Sequence, residues 1–434
     1  MKVGMGYKQT DVGVIPADWN CATVAKIAGN SKNSIVGGPF GSDLVSSDYV
    51  LRGVPVIRGQ NMGAGYVSGD FVFVSKPKAR RLQANTARAG DLIFTQRGTL
   101  GQVSIVPSAP FDEYIISQSQ MKLTLNPALA DTQYIYQYFS SVDGQRQVTE
   151  SAIQTGVPHT NLGILRAYRI PLPPSVAEQR AIAVALSDVD ALLGGLERLI
   201  AKKCDLKQAA MQQLLTGQTR LPGFSGEWEV KRFADLFKFS GGYSASRDQL
   251  STEGYCYLHY GDIHGSTKTT IDTSADYQDI PKLDIPLKRV SQNSLLADGD
   301  VVFVDASEDD EGTSKHVVVV NKADLPFISG LHTIVAKART AELAHEYLRY
   351  CFQTARIRQQ FMFYAVGTKV SGISKTNIVK LTLPIPSVSE QTAIATILSD
   401  MDAELSALEA RRDKTRAVKQ AMMQELLTGR IRLV

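Results

Sequence analysis

The sequence has few of the features that mark secreted, metal-stabilised or membrane proteins. Its 4 cysteines, Cys21, Cys204, Cys256 and Cys351, stand far apart, which indicates neither a disulfide framework nor a zinc site. No apolar run reaches the roughly 18 residues that a membrane-spanning helix needs, and the first residues lack the apolar core of a signal peptide. These absences predict a reduced, soluble, cytoplasmic protein that makes no membrane contact.

Catalytic motifs and an excess of one charge are also lacking. The sequence contains no GxxxxGK[ST] phosphate-binding loop, no GxGxxG, no HExxH and no serine elbow. Its 47 Lys and Arg against 43 Asp and Glu leave a net charge of +4, which allows nucleic acid as a partner without requiring it. At 434 residues the chain is long for a single core, so two or three domains are expected.

What the sequence does contain is an internal repeat. Residues 174–221 align with 386–433 without a gap, and about 28 of the 48 aligned positions are identical. The match continues more weakly upstream, where GDLIFTQRGTLG (90–101) corresponds to GDVVFVDASEDDEG (299–312). The only 2 tryptophans, Trp19 and Trp228, occupy the same place in the opening phrase of each half. We infer two half-length copies, each combining a diverged domain with a closely similar segment.

The similar segments predict two long helices. Both begin with the S-x-x-E pattern of a capping box, at 175–178 and 387–390, and Gly217 and Gly429 mark C-terminal caps. Apolar residues at heptad spacing predict a coiled-coil seam formed by Ile182, Leu186, Val189, Leu193, Leu196 and Ile200 with Ile394, Leu398, Met401, Leu405 and Leu408. Each helix would have about 40 residues and a length of about 60 Å. Two unrelated amphipathic helices, each lying on its own domain, are the alternative.

Pairing of the two seams predicts the architecture. The fold class is mixed α+β (α/β), an internally duplicated dumbbell with two globular domains separated by a long antiparallel two-helix coiled coil. The predicted segments are a first domain at 1–173, a first helix at 174–217, a second domain at 218–385, and a second helix with its tail at 386–434. Antiparallel pairing returns the end of the chain to the first domain. Such a ruler fits DNA with a split site, since about 60 Å spans at most about 18 base pairs.

With these motifs in place, the chain resembles the specificity subunit of type I restriction-modification systems. The resemblance covers nearly the whole chain and is carried by PLPPSVAEQRAIAVALSDVDALL (171–193), LPIPSVSEQTAIATILSDMDAEL (383–405), the paired LLTG phrases, GDLIFTQRGTLGQVSIV (90–106) and the IPADW opening. It implies two target-recognition domains that each read half of a bipartite site in double-stranded DNA. It also implies helices that set the spacer and dock two methyltransferase (modification) subunits.

The resemblance further implies a non-catalytic subunit, joined through the complex by a restriction/motor subunit. S-adenosylmethionine, ATP and magnesium are then expected on the partner subunits, with no cofactor or metal bound by this chain. In agreement, the Asn/Asp-Pro-Pro-aromatic motif of amino-methyltransferases is absent from the sequence. The acidic run DASEDDEG (305–312) would suit magnesium in a nuclease, but the first half has TQRG there, which favours a solvated loop. His332 lies in an apolar run and is predicted to be a core residue.

Candidate DNA contacts are polar side chains on predicted turns, because Arg, Lys, Asn and Gln suit phosphates and base edges. In the first domain they are Arg58, Gln60, Asn61, Arg80, Arg81, Gln96, Arg97, Gln118 and Gln120. In the second domain they are Tyr260, His264, Lys315, His316, Lys369 and Lys375, with YGDIHG (260–265) matched to RGQNMG (58–63). An ordinary surface role is the alternative for each residue.

Two other classes of function stay open. One is a methyltransferase or nuclease fusion, which no catalytic motif supports. The other is a structural coiled-coil adaptor whose end domains bind proteins rather than DNA. The basic side chains of the predicted helices would face spacer DNA or an acidic partner, or would form an ordinary solvated face.

Overall fold

The structure is a computed structural model that describes residues 5–154, 156–266, 268–307, 314–367 and 371–433. The chain divides into two compact units. Unit 1 comprises Met1–Glu197 and Ala410–Val434, and unit 2 comprises Arg198–Glu409. Both units mix helix and strand, as predicted. No helix in the described part of the chain is long and apolar enough to cross a membrane.

Unit 1 begins with a run of short strands and ends in a helical region. Its strands are β1 Tyr7–Thr10, β2 Gly13–Pro16, β3 Asn20–Thr23, β4 Ile35–Gly37, β5 Tyr49–Val50, β6 Val54–Ile57, β7 Val72–Val74, β8 Thr86–Ala87, β9 Leu92–Thr95, β10 Val103–Ile105, β11 Tyr114–Ile116, β12 Gln120–Leu123 and β13 Arg169–Leu172. Its helices are α1 Val24–Ile27, α2 Lys76–Arg81, α3 Thr132–Ser140, α4 Val142–Glu150, α5 Leu162–Ala167 and the first part of α6 Val176–Leu214.

Unit 2 repeats this succession of elements. Its strands are β14 Glu229–Arg232, β15 Phe237–Gly241, β16 Leu250–Ser251, β17 Tyr255–Leu258, β18 Thr270–Asp272, β19 Lys282–Leu283, β20 Val301–Val304, β21 Ala306–Ser307, β22 His316–Val320, β23 Phe327–Ser329, β24 Thr333–Ala338, β25 Ser371–Gly372 and β26 Thr382–Ile385. Its helices are α7 Phe233–Leu236, α8 Tyr260–His264, α9 His345–Cys351, α10 Ala355–Tyr364, α11 Lys375–Ile378 and the first part of α12 Val388–Leu426.

Two sheets form the body of each unit, and their strand orders correspond. Unit 1 has β10-β9-β12-β4 and β5-β7-β6-β11-β8, and unit 2 has β22-β20-β24-β15, extended by β18, and β16-β19-β17-β23. The second sheet of each unit contains a parallel pair, β6 with β11 and β17 with β23. Short pairs also join the start of each domain to the strand before its long helix, β3 with β13 and β14 with β26. The duplication therefore extends to domains whose sequences have diverged.

The two long helices have the same length of 39 residues and occupy matching positions of the repeat. At 1.5 Å per residue each is about 58 Å long. The predicted caps form: Ser175 Oγ accepts a hydrogen bond from Glu178 N at 3.1 Å, and Ser387 Oγ accepts one from Glu390 N at 3.3 Å. At the other ends Gly217 and Gly429 have φ angles of 71° and 70°, the left-handed conformation of a helix C-cap.

The predicted seam has two parts with different surroundings. Ile182 and Leu186 lie in the core of unit 1 with Met423, Leu426 and Leu427. In the same way, Ile394 and Leu398 lie in the core of unit 2 with Leu214 and Leu215. Further along, Leu196 and Ile200 are buried, whereas Val189, Leu193, Met401, Leu405 and Leu408 are half-buried. The beginning of each long helix therefore packs into the core of a domain and also against the end of the other long helix.

Ion pairs show that the helices run antiparallel within each unit. In unit 1, Lys419 Nζ lies 2.6 Å from Asp190 Oδ1. The matching pair in unit 2 joins Lys207 and Asp402. The predicted return of the chain to the first domain is confirmed, because Arg432 binds Glu178 and lies 3.1 Å from Asp18. A coiled coil along the full length of both helices stays a prediction.

Candidate nucleic-acid interface

Loops converge at the carboxyl ends of β6 and β11 in unit 1 because parallel strands end on the same edge of a sheet. Backbone hydrogen bonds join them: Ser117 N donates to Ile57 O at 2.9 Å, Gln96 N to Ser119 O at 2.7 Å, and Thr160 N to Gln96 O at 3.0 Å. We call residues 38–45, 58–61, 96–102 and 117–119 the loop cluster of unit 1. It brings together Arg58, Gln60, Gln96, Arg97 and Gln118.

Several of these predicted contacts present their side chains at the surface. Gln60, Arg97 and Gln118 are exposed, and Arg58 and Gln96 are half-buried. Gln118 Nε2 donates to Gly41 O at 2.5 Å and to Leu44 O at 2.9 Å, which ties two loops together. The arrangement offers amide and guanidinium groups of the kinds that contact bases in the major groove.

Asn61 and Gln120, which were predicted to contact DNA, are buried in this structure, at 1% and 0% exposed. Asn61 Oδ1 accepts a hydrogen bond from Arg58 N at 3.1 Å, and its Nδ2 donates to Asp70 O at 2.9 Å. The Gln120 amide, oriented so that its hydrogen bonds are satisfied, binds Ile57 O and Gly59 N, each at 3.2 Å. Both side chains hold the loop cluster in place from below.

One exposed aromatic residue of the cluster was missed by the sequence analysis. Phe40 is 89% exposed on the loop that begins at Gly38. Gly38 packs so tightly that a Cβ there would overlap the carbonyl oxygen of Ser117. A single aromatic in a GGPFGS phrase carries no periodic signal, so the flanking glycines were the only available clue.

Arg80 and Arg81 lie on α2, which is separate from the loop cluster, and both are exposed. Ser75 Oγ caps this helix by accepting from Lys78 N at 3.3 Å. Lys78 Nζ is 2.9 Å from Asp48 Oδ2, and its hydrogen bond lowers the pKa of that carboxyl. The apolar side of α2 packs with Leu44 in a small core, so the helix flanks the loop that Gln118 holds.

Unit 2 contains the same loop framework. Gly330 N donates to Leu258 O at 2.9 Å, Asp305 N to His332 O at 3.2 Å, and Ile373 N to Asp305 O at 2.8 Å. These bonds match those of Ser117, Gln96 and Thr160 in unit 1. A Cβ at Gly242 would overlap the carbonyl oxygen of Gly330, as one at Gly38 would overlap that of Ser117. We call residues 242–249, 259–264, 305–307 and 330–332 the loop cluster of unit 2.

The turn after β6 in unit 1 corresponds to the turn after β17 in unit 2. The correspondence is shifted by one residue from the predicted match of 58–63 with 260–265. Asp262 Oδ2 accepts from His259 N at 3.0 Å, as Asn61 Oδ1 accepts from Arg58 N. His259, rather than Tyr260, therefore takes the place of Arg58. Burial lowers the pKa of His259, and its Nδ1 accepts a hydrogen bond from Gly261 N at 3.0 Å. The ring is accordingly neutral at pH 7.

His332 is exposed, so the prediction of a core histidine is wrong. Its φ angle of 58° places it in a turn, and the buried strand β24 begins only at the next residue. Its Nδ1 lies 3.2 Å from Asp305 Oδ1, and its ring centroid lies 5.6 Å from that of half-buried Tyr260. The aromatic and acidic surface of this cluster differs from the arginine- and glutamine-bearing surface in unit 1.

The remaining candidates of unit 2 fall in several places. Lys315 Nζ donates to His264 O at 2.5 Å, so both residues lie where β22 meets α8. His316, which was also predicted to contact DNA, is only 6% exposed. Lys375 is exposed at the start of α11. Lys369 and residues 308–312 of the acidic run lie outside the described residues. Among the described residues, no group of three or more His, Cys, Asp or Glu could hold a metal ion.

Comparison with known proteins gives this framework a family. The model of the type I restriction modification DNA specificity domain matches residues 53–202 and 225–415. The chain belongs to this family. Members are specificity subunits of type I restriction-modification systems, which are non-catalytic and serve DNA recognition, while partner subunits carry the catalytic activities.

Two curated relatives come from Methanocaldococcus jannaschii. The MjaVIII specificity subunit is 24% identical over 74% of this chain and 75% of its own. The putative MjaX specificity subunit is 22% identical over 98% of this chain and 97% of its own. Among solved structures, the S subunit from M. genitalium has a TM-score of 0.55 at 14% identity and covers 98% of both chains. That last likeness establishes the fold.

Proposed function

We propose that each unit of this specificity subunit reads one half of a bipartite site in double-stranded DNA through its loop cluster. The observation that carries the proposal is one loop framework that bears different side chains in its two copies. Unit 1 has Arg58, Arg97 and Gln118 where unit 2 has His259, Ala306 and Leu331. Equal frameworks with different donors, acceptors and apolar groups suit two unrelated half-sites, because side-chain chemistry distinguishes the bases.

The long helices would set the spacer and bind two methyltransferase subunits, one on each repeat. Support comes from exposed positions that are identical in both helices: Asp188 and Asp400, Glu197 and Glu409, Gln208 and Gln420, Gln212 and Gln424. Identical surfaces suit two copies of one partner. The chain would then divide by function into segments 1–173, 174–217, 218–385 and 386–434. S-adenosylmethionine, ATP and magnesium would bind to the modification and restriction/motor subunits.

The test of half-site reading is methylation sequencing of cells that express the methyltransferase subunit with and without this chain. We expect methylated adenines that depend on the chain, in two short motifs separated by a fixed gap. Exchanging residues 218–385 for those of another specificity subunit should change one half of the motif only. Methylation that does not depend on the chain, or a single contiguous motif, would contradict the proposal. Recovery of protein partners without any DNA binding would instead favour an adaptor.

The spacer function has a separate test. Removing seven residues from the middle of both helices shortens each by about 10 Å, equivalent to about 3 base pairs. We expect the gap in the motif to shrink by about that number while both half-sites stay the same. A change in the half-sites with an unchanged gap would refute the ruler.

A further inference from the structure

A basic cleft of about 750 Å³ lies within unit 2 beside its loop cluster. The end of α6 forms one wall, residues 353–358 at the start of α10 form another, and Ile263 of α8 with residues 314–316 closes a third side. Among the described residues, its lining includes five cations and no acidic side chain: Lys207, Lys268, Lys315, Arg356 and Arg358. A concave surface whose charges all have one sign concentrates the electric field that acts on an oppositely charged ligand.

Three of these cations have no carboxylate partner among the described residues. Lys207 pairs with Asp402, and Lys268 Nζ lies 2.6 Å from Asp276. The ammonium of Lys315 donates to a carbonyl, and Arg358 Nη2 donates to Gln353 O at 3.2 Å. Arg356 and Arg358 are exposed. Within the part of the chain that the structure describes, Lys315, Arg356 and Arg358 therefore leave positive charge in the cleft that is available for an anion.

The cleft is continuous with the loop cluster. Ile263 and the carbonyl of His264, which Lys315 binds, belong to the same short helix as Tyr260. DNA that contacts Tyr260 would therefore lie beside the cleft, because Ile263 of the same helix lines it. The start of α10 adds to the attraction, because Thr354 caps a 10-residue helix and helix N-termini favour phosphate. The lining also includes His316, whose buried Nε2 has no hydrogen-bond partner among the described residues.

Unit 1 places different residues at the same positions. Its helix α4 is capped by Ser141 as α10 is capped by Thr354, so Asp143 and Gln145 stand where Arg356 and Arg358 stand. Gln145 Nε2 donates to Gly101 O at 2.8 Å and to Phe139 O at 2.5 Å, so this side chain occupies the space beside Gly101. Asp143 lies 3.3 Å from Arg146. Basic side chains at the positions of Arg356 and Arg358 are therefore particular to unit 2 and are not required by the fold.

We propose that the cleft is a sequence-independent phosphate clamp, which binds the backbone of duplex DNA beside the half-site read by unit 2. The proposal rests on the proposed reading of DNA by the loop clusters. It assigns to one unit a contribution to affinity that the other unit lacks. Its partner is the phosphodiester backbone because the clamp offers the exposed cations Arg356 and Arg358 in a cleft that adjoins the loop cluster.

The test uses the full chain assembled with its methyltransferase subunits and the double variant Arg356→Gln/Arg358→Gln. Affinity is measured at several salt concentrations for a duplex that carries the methylated site and for a duplex of equal length with that site scrambled. We expect both affinities to fall at least tenfold at low salt and the slope of log K against log salt to decrease by about 2. The methylated motif should stay unchanged.

The matched control is Arg232→Gln/Arg339→Gln, which removes the same charge from exposed positions of unit 2. Arg339 follows β24 at the end of that strand farthest from His332, so this variant should keep the wild-type slope. An unchanged slope in the cleft variant overturns the clamp. A change in the second half of the motif would assign the arginines to base reading and would also overturn the clamp. Loss of methyltransferase binding at unchanged DNA affinity would assign the cleft to a protein partner, which overturns the clamp as well. Failure of the proposed function can be told apart from failure of the clamp. In that case the wild-type complex itself would bind the duplex with the methylated site no better than the scrambled duplex.

Discussion

The loop clusters and the long helices are built from different kinds of contact. In each loop cluster the ties between loops that recur in both units are backbone hydrogen bonds, such as Ser117 N to Ile57 O and Gly330 N to Leu258 O. Side chains can change without breaking such bonds, except where the backbone itself comes too close, as at Gly38 and Gly242. The domains can therefore keep one fold while their surfaces diverge.

In the helical regions the corresponding ties are made by side chains. Gln179 Oε1 accepts from Asp131 N and Gln391 Oε1 from Ala344 N, both at 2.9 Å. Arg432 binds Glu178 as Arg220 binds Glu390. A substitution here removes the contact itself, which explains why the helical segments match in sequence and the domains do not.

Loss of Arg432 should be the most damaging change. Its guanidinium pairs with Glu178, whose side chain is 1% exposed, and with Asp18 at 3.1 Å. Arg432→Ala leaves a buried carboxylate without its partner, which costs about 3–5 kcal/mol of the free energy of unfolding. Urea unfolding followed by tryptophan fluorescence measures it in a Trp228→Phe background, because the Trp19 ring lies 5.6 Å from the guanidinium.

The matched variant is Arg220→Ala in a Trp19→Phe background. Arg220 pairs with Glu390 and also donates to the carbonyl of Ser225, but no second carboxylate corresponds to Asp18 among its described contacts. Its loss should be damaging but smaller. A double change, Arg432→Met with Glu178→Gln, should recover much of the stability because the buried charge is then gone. A loss below about 1 kcal/mol for Arg432→Ala would show that the pair is not structural.

His316 should make the stability of unit 2 sensitive to acid. Burial lowers its pKa from 6.5 to about 4, so the unfolded chain takes up a proton at a higher pH than the folded one. Stability is unaffected above pH 6.5 and falls by about 3 kcal/mol as the pH drops from 6.5 to 4. His316→Val, which introduces the residue that unit 1 has at Val103, should remove this dependence. Urea midpoints at pH 7 and pH 4.5 in the Trp19→Phe background measure it, and equal acid sensitivity in both proteins would exclude His316 as the cause.

Arg97 tests whether the loop clusters act independently. Arg97→Ala should weaken discrimination at one or two positions of the first half-site by about 1–3 kcal/mol and leave the second half-site unchanged. Methylation sequencing of the variant complex measures both halves at once. Arg52→Ala is the control, since Arg52 is exposed in unit 1 but precedes β6, at the end of that strand away from Arg58. Equal relaxation of both halves would mean that the clusters do not read separate sequences.

The features that could be predicted from the sequence are those with local signals. The helix caps depend on Ser175, Ser387, Gly217 and Gly429, each of which acts within a few residues of its own position. The repeat then located the matching elements in the second half. These signals do not depend on the rest of the fold, so the caps and the return of the chain end were confirmed.

The features that could not be predicted depend on strand register and close packing. His332 and His316 both lie near apolar runs, yet one is exposed and the other buried, because β24 begins after the first histidine and β22 begins with the second. Asn61 and Gln120 appear in polar phrases but point inward, where they satisfy backbone groups of neighbouring loops. Composition alone does not distinguish a polar residue that holds a loop from one that the loop displays.

The smallest expected effect concerns a difference between the two helices. Gly195 lies inside α6 where α12 has Ala407, and a Cβ at Gly195 would meet no atom within 4 Å. Gly195→Ala should therefore raise the free energy of unfolding by about 0.5–1 kcal/mol, since glycine costs that much in a helix interior. The control is Gly217→Ala, where φ is 71° and the Trp228 ring lies 3.4 Å from the added Cβ, so the same chemical change should destabilise. Opposite signs in urea unfolding would show that one glycine is a removable weakness and the other a required cap. No gain at Gly195 would indicate that the helix needs its flexibility there.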